Sequence, residues 1–353
     1  MATVIEPVSA DDRATMDGWF ALEVRSHEHD TPELPPPCPL GHATRFSWPG
    51  FDKRAWVVRR GSDVVAAAQV TLPQRDNLTG GFAQVLVAPE QRRRGLGTRL
   101  LRHLVTQARH AGRTHLALGA GRPLDGPSAD PGPGEAFLRA AGARLGMVEI
   151  RRRLDLPADP QRLRDLAAVS GRAARGYRLV QWAGPTPAEH LDDLAVLIGR
   201  MSTDAPMGDL AMEPQRWDAD RVRERDVVAV RNGVRSVVTA AQAPDGHLVA
   251  FTEASTCVVQ DGFASQGDTL VAPAHRGHRL GLWVKLANLE LLLREHPEVR
   301  AIDTFNADDN RWMIAVNEQM GFRPLHGQGD WELDLASAQA GTTAAISAAA
   351  SGP

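Results

Sequence analysis

Cysteine is nearly missing from this chain of 353 residues: only Cys38 and Cys257 occur, far apart and outside any CxxC or Cys/His cluster. That excludes a disulfide framework and a structural zinc site. No stretch approaches the roughly 18 apolar residues that cross a bilayer. The opening MATVIEPVSADDR also lacks a basic leader ahead of an apolar run, so a soluble, cytoplasmic protein without a membrane partner is expected. Neither sign of charge is in excess. The formal net charge of −3 excludes a strongly basic nucleic-acid surface, yet leaves room for a local cationic pocket. Tyrosine occurs once, at Tyr177.

What the chain does have is a repeated phrase. VAPEQRRRGLG (Val87 to Gly97) returns as VAPAHRGHRLG (Val271 to Gly281), 184 positions later. Larger twins surround it. RAWVVRRGSDVVAAAQVTLP and RSVVTAAQAPDGHLVAFTEAST both read as a hairpin of alternating apolar residues about a turn. GFAQVLVAP and FASQGDTLVAP each read as a strand closed by proline. TRLLRHLVTQARHAG and LWVKLANLELLLREHP carry apolar residues at helical spacing. A strand, a helix and a closing strand follow in both copies (VEIRRRLDL; GDWELDL), and by Gly142 and Gly321 the offset has shrunk to 179.

The order predicts an α/β fold with a mixed sheet in two tandem domains: an N-terminal unit at 1–156, a linker at 157–176 with room for a short helix, a C-terminal unit at 177–335, and a mobile tail at 336–353.

In each copy the repeated phrase carries the chain from a strand into a helix. A helix start leaves backbone N–H groups unpaired and concentrates partial positive charge, so it receives phosphate readily. Gly95 and Gly97 let the backbone close around an anion, and Arg92, Arg93 and Arg94 bring full charges. The Lys-Ser ending of a Walker loop is absent, and the glycine spacing is not that of a dinucleotide fold. In the second copy Arg276, Gly277 and Gly281 remain, while Arg279, preceded by His278, stands at the counterpart of Gly95.

The pattern Arg92-x-x-Gly95-x-Gly97 after VLVAP resembles the acetyl-CoA signature of the GNAT superfamily of N-acetyltransferases, here over nearly the whole chain as two tandem units, an arrangement similar to that of mycothiol synthase and other tandem acetyltransferases. The resemblance implies an acyl-CoA co-substrate and no metal. It assigns the diphosphate to Arg92, Arg93, Arg94, Gly95, Leu96, Gly97 and Thr98, and in the second copy to Arg276, Gly277, His278, Arg279, Leu280, Gly281 and Leu282. Fourth and fifth strands splay apart in this family to admit the pantetheine arm. That role falls on Val85, Leu86 and Val87, on Thr269, Leu270 and Val271, and on Asn306 and Asn310 as amide ligands. Many members use a tyrosine as acid four residues before the final GF; Leu138 and Asn317 occupy those positions, so water oriented by Asn317 is the expected proton source.

Acyl transfer to an amine needs a proton acceptor and donors for the oxyanion. At the 184-residue offset Gln69 and Gln84 become Glu253 and Asp268, which points to the second copy as the catalytic one and to those two carboxylates as its bases. The resemblance places the acceptor pocket on the first two helices and their loop, where Asp204, Glu213 and Trp217 suit a cationic substrate, with Phe305 beside them. SHEHD (Ser26 to Asp30) reads as a helix end rather than a metal site.

The leading expectation is an acetyl-CoA-dependent N-acetyltransferase acting on a primary amine of a small molecule by direct transfer in a ternary complex, as a monomer or homodimer without nucleic-acid partners. Catalysis in the first copy, or a non-catalytic acyl-CoA-binding regulator, are the alternatives.

Overall fold

The computed structural model describes residues 4–124, 132–204 and 206–337. The stretch 125–131 and the tail from 338 onward, expected to be mobile, lie outside the described residues. The chain runs through β1 (Glu6–Pro7), α1 (Arg13–Asp30), α2 (Pro39–Ala43), β2 (Phe51–Arg60), β3 (Asp63–Pro73), β4 (Gly80–Val87), α3 (Leu96–His110), β5 (His115–Arg122), α4 (Pro133–Ala140) and β6 (Arg144–Asp155). It continues with α5 (Pro160–Ala173), β7 (Arg178–Ala183), α6 (Leu191–Asp204), α7 (Ala219–Arg231), β8 (Val234–Gln242), β9 (Leu248–Cys257), β10 (Gln260–Val271), α8 (Leu280–Glu295), β11 (Ala301–Ala307), α9 (Arg311–Met320) and β12 (Arg323–Asp334). The sequence expectation of hairpin, strand, helix, strand, helix and strand is met in both copies. SHEHD forms the last turn of α1, as its pattern suggested. None of the described helices is long and apolar enough to cross a membrane.

The chain divides into two compact units, one of Met1–Val148, Met207–Glu213 and Gly327–Pro353, the other of Glu149–Pro206 and Pro214–His326. The first unit orders its strands β1-β2-β3-β4-β5-β12, with β4 and β5 parallel and the other pairs antiparallel. On one face Trp19 and Leu22 of α1 pack on Val57, Val64 and Ala67. On the other, Leu100, Leu101 and Leu104 of α3 pack on Val58, Ala66 and Val70. The second unit runs β7-β8-β9-β10-β11-β6. Leu194 and Ile198 of α6 and Val222 of α7 cover Val238 and Phe251 on one face. Leu282, Leu286 and Leu289 of α8 cover Val237, Ala254 and Ile302 on the other.

The closing strands differ from the sequence expectation. VEIRRRLDL in β6 pairs with β11 of the second unit, from Glu149↔Ala307 to Asp155↔Ala301. GDWELDL in β12 pairs with β5 of the first, from Gly327↔Arg122 to Asp334↔His115. Side-chain pattern explains both. Arg151 and Arg153, two apart and therefore on one face, both bond Asp303 of β11, while Leu154 enters the second unit's core. Trp331, Leu333 and Leu335 alternate into the first unit's core. The stretch read as a linker holds α5, capped by Asp159 and laid by Leu163 and Leu166 on the second unit's core.

Trp331 is 2% exposed in a core whose other strands lie more than 200 positions upstream. Trp331→Ala should cost about 3–5 kcal/mol, measured by urea unfolding, and the loss should fall on the transition of the first unit.

Candidate active site

The proline that closes each fourth strand is followed by a single 3-10 turn, Pro89–Gln91 or Pro273–His275, and then by the loop that starts the helix. Two loop positions take left-handed backbone in each copy: Arg93 (φ 61) and Gly95 (φ 79) in the first, Gly277 (φ 89) and Arg279 (φ 55) in the second. Each copy therefore uses one glycine and one arginine, in opposite order. The absent glycine at Arg279, a departure from the family pattern, leaves the turn in the same conformation. At Gly97 and Gly281 a Cβ would make only ordinary contact, with Phe137 Cε2 at 3.4 Å and Val87 Cγ2 at 3.8 Å in the first copy and with Val271 Cγ2 at 3.6 Å in the second, so space does not demand glycine at either.

Among the described residues none accepts from the backbone N–H groups of Arg93 through Thr98, or of Gly277 through Leu282. Such alternating left- and right-handed residues make a concave nest of N–H donors at a helix start, which fits a diphosphate. Leu96, Leu280 and Leu282 contribute backbone alone, because their side chains are buried in the cores. Arg93, Arg94, Thr98, His278 and Arg279 are exposed.

Arg92 and Arg276 do something the sequence did not disclose. Arg92 Nε donates to the Val87 carbonyl at 3.1 Å, and its Nη1 and Nη2 donate to the two oxygens of Asp30 at 2.7 and 2.5 Å. Arg276 repeats this, with Nε on the Val271 carbonyl at 3.2 Å and Nη2 on Asp204 Oδ2 at 3.1 Å. Asp30 and Asp204 are the last residues of α1 and α6. Each arginine is thus a latch tying the strand end, the loop and that helix together. Burial works against ionisation of Asp30, but the hydrogen bonds from Arg92 and His29 prevail and hold its carboxyl below the ordinary range. Asp204, expected at the acceptor pocket, is held by Arg200 and Arg276.

Behind the loops the strands part. β4 and β5 are paired only from Gly80↔His115 to Phe82↔Ala117, and β10 and β11 only from Phe263↔Ala301 to Gln266↔Thr304. Val85, Leu86 and Val87, like Thr269, Leu270 and Val271, lie on the arm of a V that the neighbouring strand has left. The two V-shaped clefts differ in their fourth strand. In the first unit Gln69 stands opposite Gln84 in unbroken register. In the second, Ala254 faces Gln266 and Thr252 faces Thr269, so Gly267 and Asp268 both stand against Glu253 as a bulge. A Cβ on Gly267 would lie 3.0 Å from Glu253 Cγ, so glycine is what lets that side chain cross the bulge.

Glu253 Oε2 lies 3.4 Å from Arg225 Nη1 of α7, a residue that sequence reading missed. Burial raises the Glu253 carboxyl, Arg225 pulls it down, and Asp268 and Asp226 push it up again; the net direction is up. Asp268 is raised by burial against the pull of Arg225. The site thus gathers two carboxylates with elevated proton affinity around one guanidinium. In the first unit Gln69 instead accepts from Arg45, which lies over the Trp19 ring and bonds Glu23.

The remaining candidates separate. Asn306 and Asn317 meet, with Asn317 Nδ2 donating to Asn306 Oδ1 at 2.5 Å, both buried. Asn310 is the cap of α9 and accepts from the Met313 N–H, so its amide oxygen is already committed. Glu213 belongs to the first unit, where its N–H bonds Asn77 and its carboxylate accepts from Thr79, so it leaves the acceptor set. Trp217 packs beside Gly199 of α6 under the Arg221 guanidinium. Phe305 is exposed beside Arg151, at the open arm of β11. Tyr177 is bonded to His275 at 3.0 Å, at the loop that starts α8.

The left-handed turn generates a direct test. Gly95→Asn, which tolerates this backbone, should keep CoA affinity of the first unit within about threefold, whereas Gly95→Val should lose about tenfold, read by titration calorimetry.

A family model described as the acetyltransferase (GNAT) family matches residues 19–126. No curated protein matches the chain. Among solved structures, a tandem GNAT protein from the clavulanic acid biosynthesis pathway is 32% identical, over 95% of this chain and 99% of that one, with a TM-score of 0.77. A GCN5-related N-acetyltransferase from Sphaerobacter thermophilus (15% identity, 94% and 96% covered, TM-score 0.62) shares the fold. So does Saccharomyces cerevisiae N-myristoyltransferase (11%, 95% and 81%, 0.60). The paired clefts and the likeness along the full chain make this protein a tandem member of the GNAT acetyltransferase family, an acyltransferase whose co-substrate is an acyl-CoA.

Proposed function

We propose that the chain moves an acyl group, acetyl in the simplest case, from CoA to a primary amine of a small molecule by direct transfer in a ternary complex, with the chemistry in the second unit. The observation that carries this reading is the β10 bulge, which sets Asp268 and Glu253 about Arg225 where the first unit has a flush pair of glutamines. Acyl-CoA supplies an activated thioester. The chain supplies the rest: the N–H nest from Gly277 to Leu282 holds the diphosphate, and the unpaired edge of Thr269–Val271 receives the pantetheine arm. Successive N–H groups of a strand point to opposite edges, so one of Leu270 and Val271 donates into the cleft, where it polarises the carbonyl.

Asp268 or Glu253 takes the ammonium proton. Their raised proton affinity brings them closer to working pH, the condition under which a base is both available and strong enough. Arg225 orients the pair. Water returns a proton to the thiolate, since a thiol of pKa near ~8.5 is a fair leaving group.

A second reading places the chemistry in the first unit, which the family model matches. The double substitution Glu253→Gln with Asp268→Asn separates the two. In the proposed mechanism it lowers kcat by about 10²–10⁴-fold with CoA affinity unchanged; turnover that survives it transfers the chemistry to the first unit. The acid limb of kcat/KM follows from the direction of the shifts. The bases work ionised, so activity should rise with pH through a midpoint above the ordinary carboxylate range, and Glu253→Gln should displace that midpoint in a pH–rate series.

A further inference from the structure

The two units differ not only at the bulge but in the material beneath the clefts. The first unit packs Leu101, Leu104, Leu118, Ala120 and Leu138 between α3, α4 and β5, all buried. Helix starts align Leu101 and Leu104 with Lys285 and Asn288, and the first paired residues of β5 and β11 align Leu118 and Ala120 with Thr304 and Asn306. The glycines that end α4 and α9, Gly142 and Gly321, align Leu138 with Asn317. An apolar wall in one unit is therefore a polar wall in the other, and every one of these polar residues is buried.

Polar groups at core positions are costly unless paired, and here pairing is incomplete. Lys285 is 1% exposed, and among the described residues no carboxylate pairs with its ammonium or offsets its burial. Burial alone lowers its pKa to about 7. It lies on the α8 stripe between Gly281, which faces Val271 of β10, and Asn288, whose Oδ1 accepts from Thr239. Its Nζ is 5.4 Å from the centre of the Phe322 ring, and the Phe322 N–H is bonded to the Asn317 carbonyl, so the lysine reaches toward the α9 side of the cleft. Asn288 Nδ2 and Asn317 Oδ1 have no partner, and both side chains are wholly buried. The V between β10 and β11 closes at Gln266 and Thr304, on the face these groups share.

We propose that the second unit selects an acyl group with a carboxylate at its far end, a short dicarboxylic chain such as succinyl, received at the apex of the V by the Lys285 ammonium and the Asn288 amide. This rests on the reading of the second unit as the acyl-transfer site. Lys285 and Asn288 stand one helical turn apart on α8, so an ammonium and an amide N–H from neighbouring positions are available to the two oxygens of a carboxylate, and the ligand gives Asn288 Nδ2 the partner it lacks. Asn317 Oδ1, an acceptor, suits a pantetheine amide N–H instead. In the transfer the thioester C–S bond breaks and an amide C–N bond forms. The amine proton leaves through Asp268 or Glu253, and the thiolate takes a proton from water to give free CoA. The distal carboxylate is unchanged.

The test is titration calorimetry of the full chain with acetyl-CoA, succinyl-CoA and butyryl-CoA, the last a neutral chain of equal length. Succinyl-CoA should bind about tenfold or more tighter than butyryl-CoA. Lys285→Met should abolish that preference and leave acetyl-CoA affinity within about twofold. Asn288→Leu, which installs the residue of the first unit, should reduce the preference in part and covers the case in which the lysine variant does not fold. Equal binding of succinyl-CoA and butyryl-CoA, or a preference that survives both substitutions, overturns the proposal. Failure of every CoA thioester to bind would instead overturn the acyltransferase reading beneath it, and the proposal with it.

Discussion

A turn that must pass twice through left-handed backbone between a proline-stopped strand and a helix is the constraint on which both halves of this protein depend. It leaves a run of N–H groups without internal partners, and an arginine one step earlier holds it in place by bonding the strand's last carbonyl and the carboxylate that ends α1 or α6. The arginine is conspicuous in the sequence as a positive charge for an anion, yet its charge is largely answered inside the protein. The groups left without internal partners at the helix start are the backbone N–H run, with exposed arginines beside it. That division of labour explains how the second copy dispenses with a glycine. What the turn needs is left-handed backbone at two positions, and Arg279 provides one of them while Gly277 provides the other.

From this shared frame the units have diverged in their linings. The first has a flush strand pair faced by glutamines and an apolar wall; the second has a bulge faced by carboxylates and a polar wall. These differences occur at matched positions in one fold, so they are not demands of the fold. A buried lysine and half-satisfied asparagines lower stability unless something is gained by them, and the leucines of the first unit prove that the architecture accepts apolar residues there.

Legibility followed the range of the interactions. The repeat, the order of elements and the strand-to-helix turn were readable because they are written in consecutive residues: alternation, helical spacing, proline and glycine. The contrast of Glu253 and Asp268 with Gln69 and Gln84 was readable because the repeat supplied a comparison. Glu213 was misplaced because its loop returns to Asn77 and Thr79, over 130 positions away, and no local signal says so. Asn310 was read as a ligand although it begins a helix, where an asparagine caps. Arg225 was overlooked in a helix dense with charges, and Lys285 among leucines; the comparison with Leu101 was the signal that could have found it.

The amino-acid sequence by itself determined that two copies of one α/β unit would form and that each would pass from a strand into a helix through a tight left-handed turn, because hydrophobic period and backbone preference act over a few residues. Only the tertiary structure decided which unit each closing strand completes, since no run of consecutive residues in β6 or β12 names the strand it will pair with. The choice fell to partners distant in the chain: Asp303 for Arg151 and Arg153, and an apolar core for Trp331. Those pairings form where charge and volume match across strands, a condition that exists only once the strands are side by side.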